Sequence, residues 1–505
     1  MSTRAFNNYV PLFRDFSVAL ISVVLIASLV KYLLNKRRLF VVAAKLPGPT
    51  AYPIVGNALI FASDQLFERI VGILELYGNV TPMRLWMGPK LCIVITEPRD
   101  IEIVLHSPQS STKGSHYRFF YPFIGNGLIS GSGKTWKAHR KMVSHLFTQR
   151  TFEAFVATFN NRSTELVRKL KPLANGEVFD IFHYIEGCTI DICCETIMGH
   201  SSANALTNPN YEFIHHTAQM YQITYDRMLK AWLHPDWIFR MTARHRRQQR
   251  AKSVINDFTE RCIESRRQET RDGVIGVSIL HKLLAANEDA RELNDEELRD
   301  EIYTVYIAAQ DTLALTSSFA VLMMGIHESV QDKARNEVKE VLGDNDVDVE
   351  GLSKLKYVEM VIKETLRLFP VGPLLGRRLT GELKLDKCVL PKGCEVVMAL
   401  YGTHRSPEYW DQPDEFIPER FSSENVSKRH PYAFVPFSGG PMGCIGKNYA
   451  IMALKTMLVN VIRGYVIKSD VALKDVKLRT DISVRSVHGY RVSLSSREKQ
   501  RDVDE

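Results

Sequence analysis

Pro436-Phe437-Ser438-Gly439-Gly440-Pro441-Met442-Gly443-Cys444-Ile445-Gly446 is a glycine-dense loop that presents one cysteine just before an apolar helical pattern running through Met452, Leu454 and Leu458 to about Ile462. A sulfur at a helix start is favoured as its anion, because the free N–H groups and the dipole there stabilise negative charge. Glycine lets the chain lie close to a flat ring system, and Phe437 stands where it can shield the sulfur. Taken alone, such a cysteine is more often a small buried hydrophobe than a ligand. The residues around it reverse that reading.

Upstream, the chain reads as mainly helical from about Asp64 to Phe369, with few alternating strands. Asn294 marks one helix start: Glu297 follows three residues later as in a capping box, Asp295 and Glu296 suit the positive end of the dipole, and the helix is predicted to reach about Gly325. A second helix, about Ser353 to Leu368, carries Leu355, Val358, Ile362 and Leu366 at helical spacing and is stopped by Pro370. β-prone residues and turn signals between Val371 and Val397 predict a small sheet. The fold class is mainly α with a small β portion.

The cysteine loop resembles that of cytochromes P450, whose pattern is Phe-x-x-Gly-x-Arg-x-Cys-x-Gly, with Phe437, Gly440, Cys444 and Gly446 in register. Met442 stands where the family has an arginine that bonds a haem propionate, and its loss removes a charge-assisted contact of roughly 1.5–3 kcal/mol. Further patterns of the family recur in order from Leu46 onward. Glu364 and Arg367 match Glu-x-x-Arg, with Arg420 of Pro418-Glu419-Arg420-Phe421 as third partner; by itself the pair would read as an exposed helical ion pair contributing roughly a few tenths of a kcal/mol. Trp136 and Arg140 fit Trp-x-x-x-Arg, one helical turn apart, so that indole and guanidinium together serve the propionates. Arg377 sits where relatives place another propionate-binding arginine, with Arg378 beside it as a candidate substitute for the missing loop arginine.

On the long predicted helix, Ala308-Ala309-Gln310-Asp311-Thr312-Leu313 resembles the family's oxygen-activating segment. The resemblance implies that Thr312, with Asp311, holds water and relays protons; a helical threonine otherwise bonds a carbonyl one turn back. Ala309 replaces the usual glycine and Leu313 a second hydroxyl. Insect microsomal members of the family-four clan look most similar, yet Ala308 occupies the position where many of those carry a glutamate esterified to haem, so a covalent link is impossible here.

What the resemblance implies is a cytochrome P450 fold behind an N-terminal transmembrane helix, haem b with Cys444 as axial thiolate, and insertion of one oxygen atom from O2 into an apolar substrate. Electrons would come from NADPH through a flavoprotein reductase, with cytochrome b5 as a further candidate partner. Lys447, Lys137 and Lys141 are candidates to face the reductase, against an ordinary reading as solvated lysines. The rivals are a haem-thiolate isomerase or dehydratase of peroxides, and a haem protein that only binds ligands. Gly131-Ser132-Gly133-Lys134-Thr135 prompts a phosphate loop, but the glycine needed five positions before Gly133 is Leu128.

Composition agrees with one large globular unit: 505 residues, 45% hydrophobic and 24% charged, bury enough core to enclose a cofactor. A net charge of +8 is mild over that length and suits an anionic membrane surface or acidic partner without implying nucleic acid. The eight cysteines show no zinc spacing and no disulfide framework. Phe16 to Leu34 is an apolar run of about 19 residues, and the basic Lys36, Arg37, Arg38 and Lys45 follow it. Residues 1–45 are therefore read as membrane anchor and linker, single-pass in the endoplasmic reticulum, and 46–505 as one catalytic domain in the cytoplasm. The prolines of Leu46-Pro47-Gly48-Pro49 stop the helix between them. Tyr117 to Phe123 and Tyr211 to Trp237 are likened to the pocket walls of relatives.

Overall fold

The computed structural model describes residues 3–52, 55–62, 66–88, 90–200, 212–274, 276–290 and 293–497. Asp64 and Tyr211, named above as bounds, lie outside them. Helix α1 (Thr3–Lys45) ends one residue before Leu46-Pro47, as the prolines require. It runs unbroken through the basic residues, and its last turns dock: Leu39 and Ala43 are buried, and Phe40 stacks on Trp86 with centroids 5.2 Å apart. Phe16, Leu20 and Ile26, farther up, are exposed.

Helix α2 (Gly133–Ser144), α3 (Phe182–Cys193), α4 (Glu212–Leu229), α5 (Asp295–Ile326), α6 (Glu328–Leu342), α7 (Lys356–Leu368) and α8 (Lys447–Gly464) frame the site. Around α5 the core is laid down. The predicted capping box is present, with Asn294 and Glu297 exchanging bonds of 3.0 Å in both directions. Among the described residues α5 alone is long and apolar enough to cross a membrane, and it is enclosed by protein. It packs on α3, α7 and α8.

The predicted helix over 353–368 is divided. Leu355 is not helical, and α7 restarts at Lys356 because Glu337 of α6 accepts from the N–H groups of Lys356, Tyr357 and Val358 at 2.7, 2.6 and 2.9 Å. A capping carboxylate from another helix leaves no local signal.

A five-stranded sheet holds β1 (Met83–Met87), β2 (Lys90–Ile95), β3 (Thr112–Lys113), β4 (Leu374–Arg378) and β5 (Glu395–Ala399) in the order β1-β2-β5-β4-β3. The last two meet the expected sheet between Val371 and Val397. β1 and β2 were not foreseen: Leu91 to Ile95 are all buried, so this inner strand is a continuous apolar run without alternation. A hairpin of β6 (Leu478–Thr480) and β7 (Val484–Ser486) approaches α5 near the C-terminus.

Candidate functional site

The cysteine loop is closed by its own backbone. Cys444 N–H donates to the Phe437 carbonyl at 2.8 Å and Gly443 N–H to Gly440 at 3.0 Å. Gly440 takes φ 64°, and a Cβ there would lie 2.2 Å from the Leu105 carbonyl oxygen, so this position admits glycine only. Gly446 caps α8. Among the eight cysteines Cys444 alone is exposed. Its sulfur nevertheless sits among enough protein for burial to push the thiol pKa up, opposed by the Gly446 N–H and by the charges of Arg140 and Lys447. Cys444 thus combines an exposed position with a thiol that the surrounding protein desolvates. Cys92 and Cys193, by contrast, are packed residues whose thiols burial drives up to about 12.

Three cations converge beside this loop. Arg140 Nη2 donates to the Gly443 carbonyl at 2.8 Å. Arg377 is 3% exposed, and directly across the β3–β4 register from it stands Lys113. Burial, then Arg377 and Arg140, lower the Lys113 ammonium to about 7. None of the three has an ion-pair partner among the described residues. Mutually repelling, partly desolvated cations fit a dianionic ligand, and the two propionates of a haem have that charge.

Lys113 was not foreseen, because a single lysine between Thr112 and Gly114 looks like any solvated one; only the cross-strand register places it. The suggestion that Arg378 replaces the loop arginine is corrected by the pleat. Arg378 is exposed on the face of β4 opposite Arg377 and lies near Lys90. Trp136 also departs from expectation. Its indole N–H donates to the Leu128 carbonyl at 3.2 Å, so of the pair only Arg140 is turned to the loop. Phe437 and Met442 pack against the main core.

Midway along α5, where neighbouring residues are buried, Ala308 is exposed and Ala309 and Thr312 are half-buried. Thr312 Oγ1 donates to the carbonyls of Ala308 at 2.7 Å and Ala309 at 3.2 Å, the back-bonding that loosens a helix. Asp311 faces elsewhere: Ser483 Oγ donates to its Oδ2 at 2.7 Å, and Arg485 pairs with its Oδ1. The structure therefore does not join Asp311 to Thr312 by a direct bond. Asp311 lines a cavity of about 620 Å³ between α4, α5 and the β6–β7 hairpin, with Tyr221, Tyr225 and Trp232 from the predicted second wall. Phe119, Phe120 and Phe123 of the first wall are buried instead, Phe123 edge-on to Tyr221 at 5.2 Å.

The predicted triad is assembled, with Glu364 and Arg367 fully buried and Arg420 nearly so. Arg367 Nε and Nη2 each meet Glu364 at 2.8 Å, Arg420 Nε lies 3.3 Å from Glu364, and the remaining Arg367 donors reach the carbonyls of His404, Pro413 and Glu415. His404 Nε2 in turn accepts from Val435 N–H at 3.1 Å, at the entry to the cysteine loop. The triad thus holds the loop through one imidazole.

Comparison with known proteins agrees with this arrangement. Residues 46–490 match the family model for cytochrome P450. The chain is 34% identical to cytochrome P450 4V2 of Pongo abelii over 91% of both chains. It is 32% identical to cytochrome P450 4g1 of Drosophila melanogaster, over 96% of this chain and 95% of that one. Against cytochrome P450 4c3 of the same fly the identity is 30%, over 95% of each.

Proposed function

This chain belongs to the cytochrome P450 family and is a cytochrome P450 monooxygenase, and from that premise we propose that Cys444 holds the haem iron and that Lys113, Arg140 and Arg377 hold the propionates. The observation that carries the reading is the one exposed cysteine beside three cations that have no ion-pair partner among the described residues. Bound through that sulfur, haem supplies the oxygen-activating chemistry of the family.

The chain's own residues do the rest. The Gly446 N–H, Arg140 and Lys447 favour Cys444 as thiolate. Thr312 Oγ1, next to the exposed Ala308, holds a proton that it can pass to water on the same side of α5. Asp311, held by Arg485 and Ser483, borders the cavity behind the helix, from which water can reach the segment that carries Thr312. Ile214, Tyr221, Tyr225 and Trp232, which line the cavity beside α5, favour an apolar substrate.

Exposed Lys137, Lys141 and Lys447 form the face offered to an acidic NADPH-dependent reductase, with cytochrome b5 as a second donor. The run Phe16 to Leu34, followed by Lys36 to Arg38, anchors the protein in the endoplasmic reticulum, with residues 46–505 as one haem-binding unit in the cytoplasm. A reduced carbon-monoxide difference spectrum of the purified protein and of Cys444→Ser tests the assignment. A thiolate-type Soret band lost in the variant supports it; the same band in both, or none in the parent, overturns it.

A further inference from the structure

Cation Arg140 does not reach the cysteine loop unaided. The preceding residue, His139, points the other way, into the seam between α2 and α5, where it is 4% exposed. His139 Nδ1 lies 2.8 Å from Glu301 Oε1, and Glu301 is completely buried. Glu301 Oε2 accepts from Leu128 N–H at 3.2 Å, and the Leu128 carbonyl accepts from Trp136 Nε1 at 3.2 Å. One carboxylate on α5 therefore fixes α2 twice, through His139 directly and through Leu128 and Trp136 one turn earlier. His139 and Arg140, adjacent on a helix, diverge by about 100°, so clamping the first aims the second at Gly443.

We propose that His139 is a positioning residue for the haem: locked to Glu301, it holds α2 so that Arg140 stays between the cysteine loop and Lys113. This rests on the reading of Arg140 as a propionate-binding cation. It also accounts for what Met442 leaves undone, since a chain without the loop arginine depends more on how firmly its remaining cations are held.

The groups facing His139 are Glu297, Asp300 and Glu301, all on α5, with Glu297 Oε1 3.8 Å from Nε2. The bond to Glu301 raises the His139 pKa, with burial opposing. A histidine held above its ordinary value contributes while protonated and ceases to contribute as pH rises through the folded value. Haem retention in the parent should therefore weaken as pH rises through the His139 transition, which lies above that of a free imidazole.

The test is the rate of haem transfer from purified holoprotein to excess apomyoglobin between pH 6 and 10, for the parent, His139→Gln, Arg140→Gln and the double variant. Supporting orienting groups typically contribute 10- to 100-fold; His139→Gln is expected to release haem about tenfold faster at pH 7, to lose the pH-dependent step that His139 sets, and to add little to Arg140→Gln. Additive effects in the double variant, or no effect of His139→Gln while Arg140→Gln releases haem faster, overturn the positioning role and leave Arg140 standing. No effect of Arg140→Gln overturns the propionate reading and the inference with it. His139→Asn serves as a second variant, read the same way, so that one variant's failure to fold does not remove the test.

Discussion

Asp311 and Arg485 form an ion pair that draws the acidic residue midway along α5 towards the β6–β7 hairpin, while the adjacent Thr312 bonds its own helix. The Asp311 and Arg485 side chains are 8% and 16% exposed. Removing one partner of such a pair leaves an uncompensated charge, which costs roughly 3–5 kcal/mol when burial is complete. Arg485→Gln should therefore lose about 3 kcal/mol, at the lower end because Ser483 still donates. The Arg485→Gln/Asp311→Asn double variant should recover part of it, because a neutral amide requires no cation, whereas Asp481, 2.9 Å from Arg485 Nε, still loses that partner. Urea titration of the four proteins checks this; full additivity would mean that the pair is not coupled.

Arg367 places all its donors on protein acceptors: two on Glu364 and three on the carbonyls of His404, Pro413 and Glu415. Lysine has a single ammonium and cannot occupy that planar set. Arg367→Lys keeps the charge and is nevertheless expected to lose roughly 3–5 kcal/mol and to accumulate little haem-loaded protein. The 450-type absorbance per milligram reports the outcome, and a variant that loads normally would show that charge alone suffices.

The site was legible where chemistry is written into spacing. Glu364 and Arg367 pair as their spacing on one helix predicts, and the capping box at Asn294 fixed the start of α5. It was illegible where a residue acts through a partner distant in sequence. Lys113 is placed opposite Arg377, His139 is held by Glu301 and the start of α7 is set by Glu337, and none of these pairs leaves a local pattern. Strand β2 was missed for another reason: a strand covered on both faces carries no alternation to read.

Lys113 serves two states of the protein oppositely. In the haem-free chain its ammonium is desolvated and repelled by Arg377 and Arg140, which lowers it to about 7. A lysine held below its ordinary value penalises the fold while charged, so the stability of the haem-free chain should rise with pH between about 7 and 10.5. Lys113→Gln should abolish that rise and, discounting for its partial exposure, stabilise the haem-free chain by about 1 kcal/mol at neutral pH. The same variant should release haem faster. Thermal midpoints of the haem-free forms, with haem transfer rates of the loaded ones, check both signs; a variant that destabilises both forms would place Lys113 among ordinary structural residues.

His404 sets the acid limit of the cysteine loop. Its Nε2 accepts from Val435 N–H, so it must be neutral there, and burial, reinforced by Arg367 and Arg405, lowers its pKa to about 3. The unfolded chain takes up that proton near 6.5, so between about 6.5 and 3 the unfolded state binds more protons and stability falls as pH falls. One such group removes about 1.4 kcal/mol per pH unit in that window. Between pH 7 and pH 5 the parent should therefore lose about 2 kcal/mol more than His404→Asn, which cannot be protonated. Urea titrations at the two pH values measure the difference. Equal losses in both proteins would mean that His404 titrates alike folded and unfolded, and that the acid sensitivity of the loop arises elsewhere.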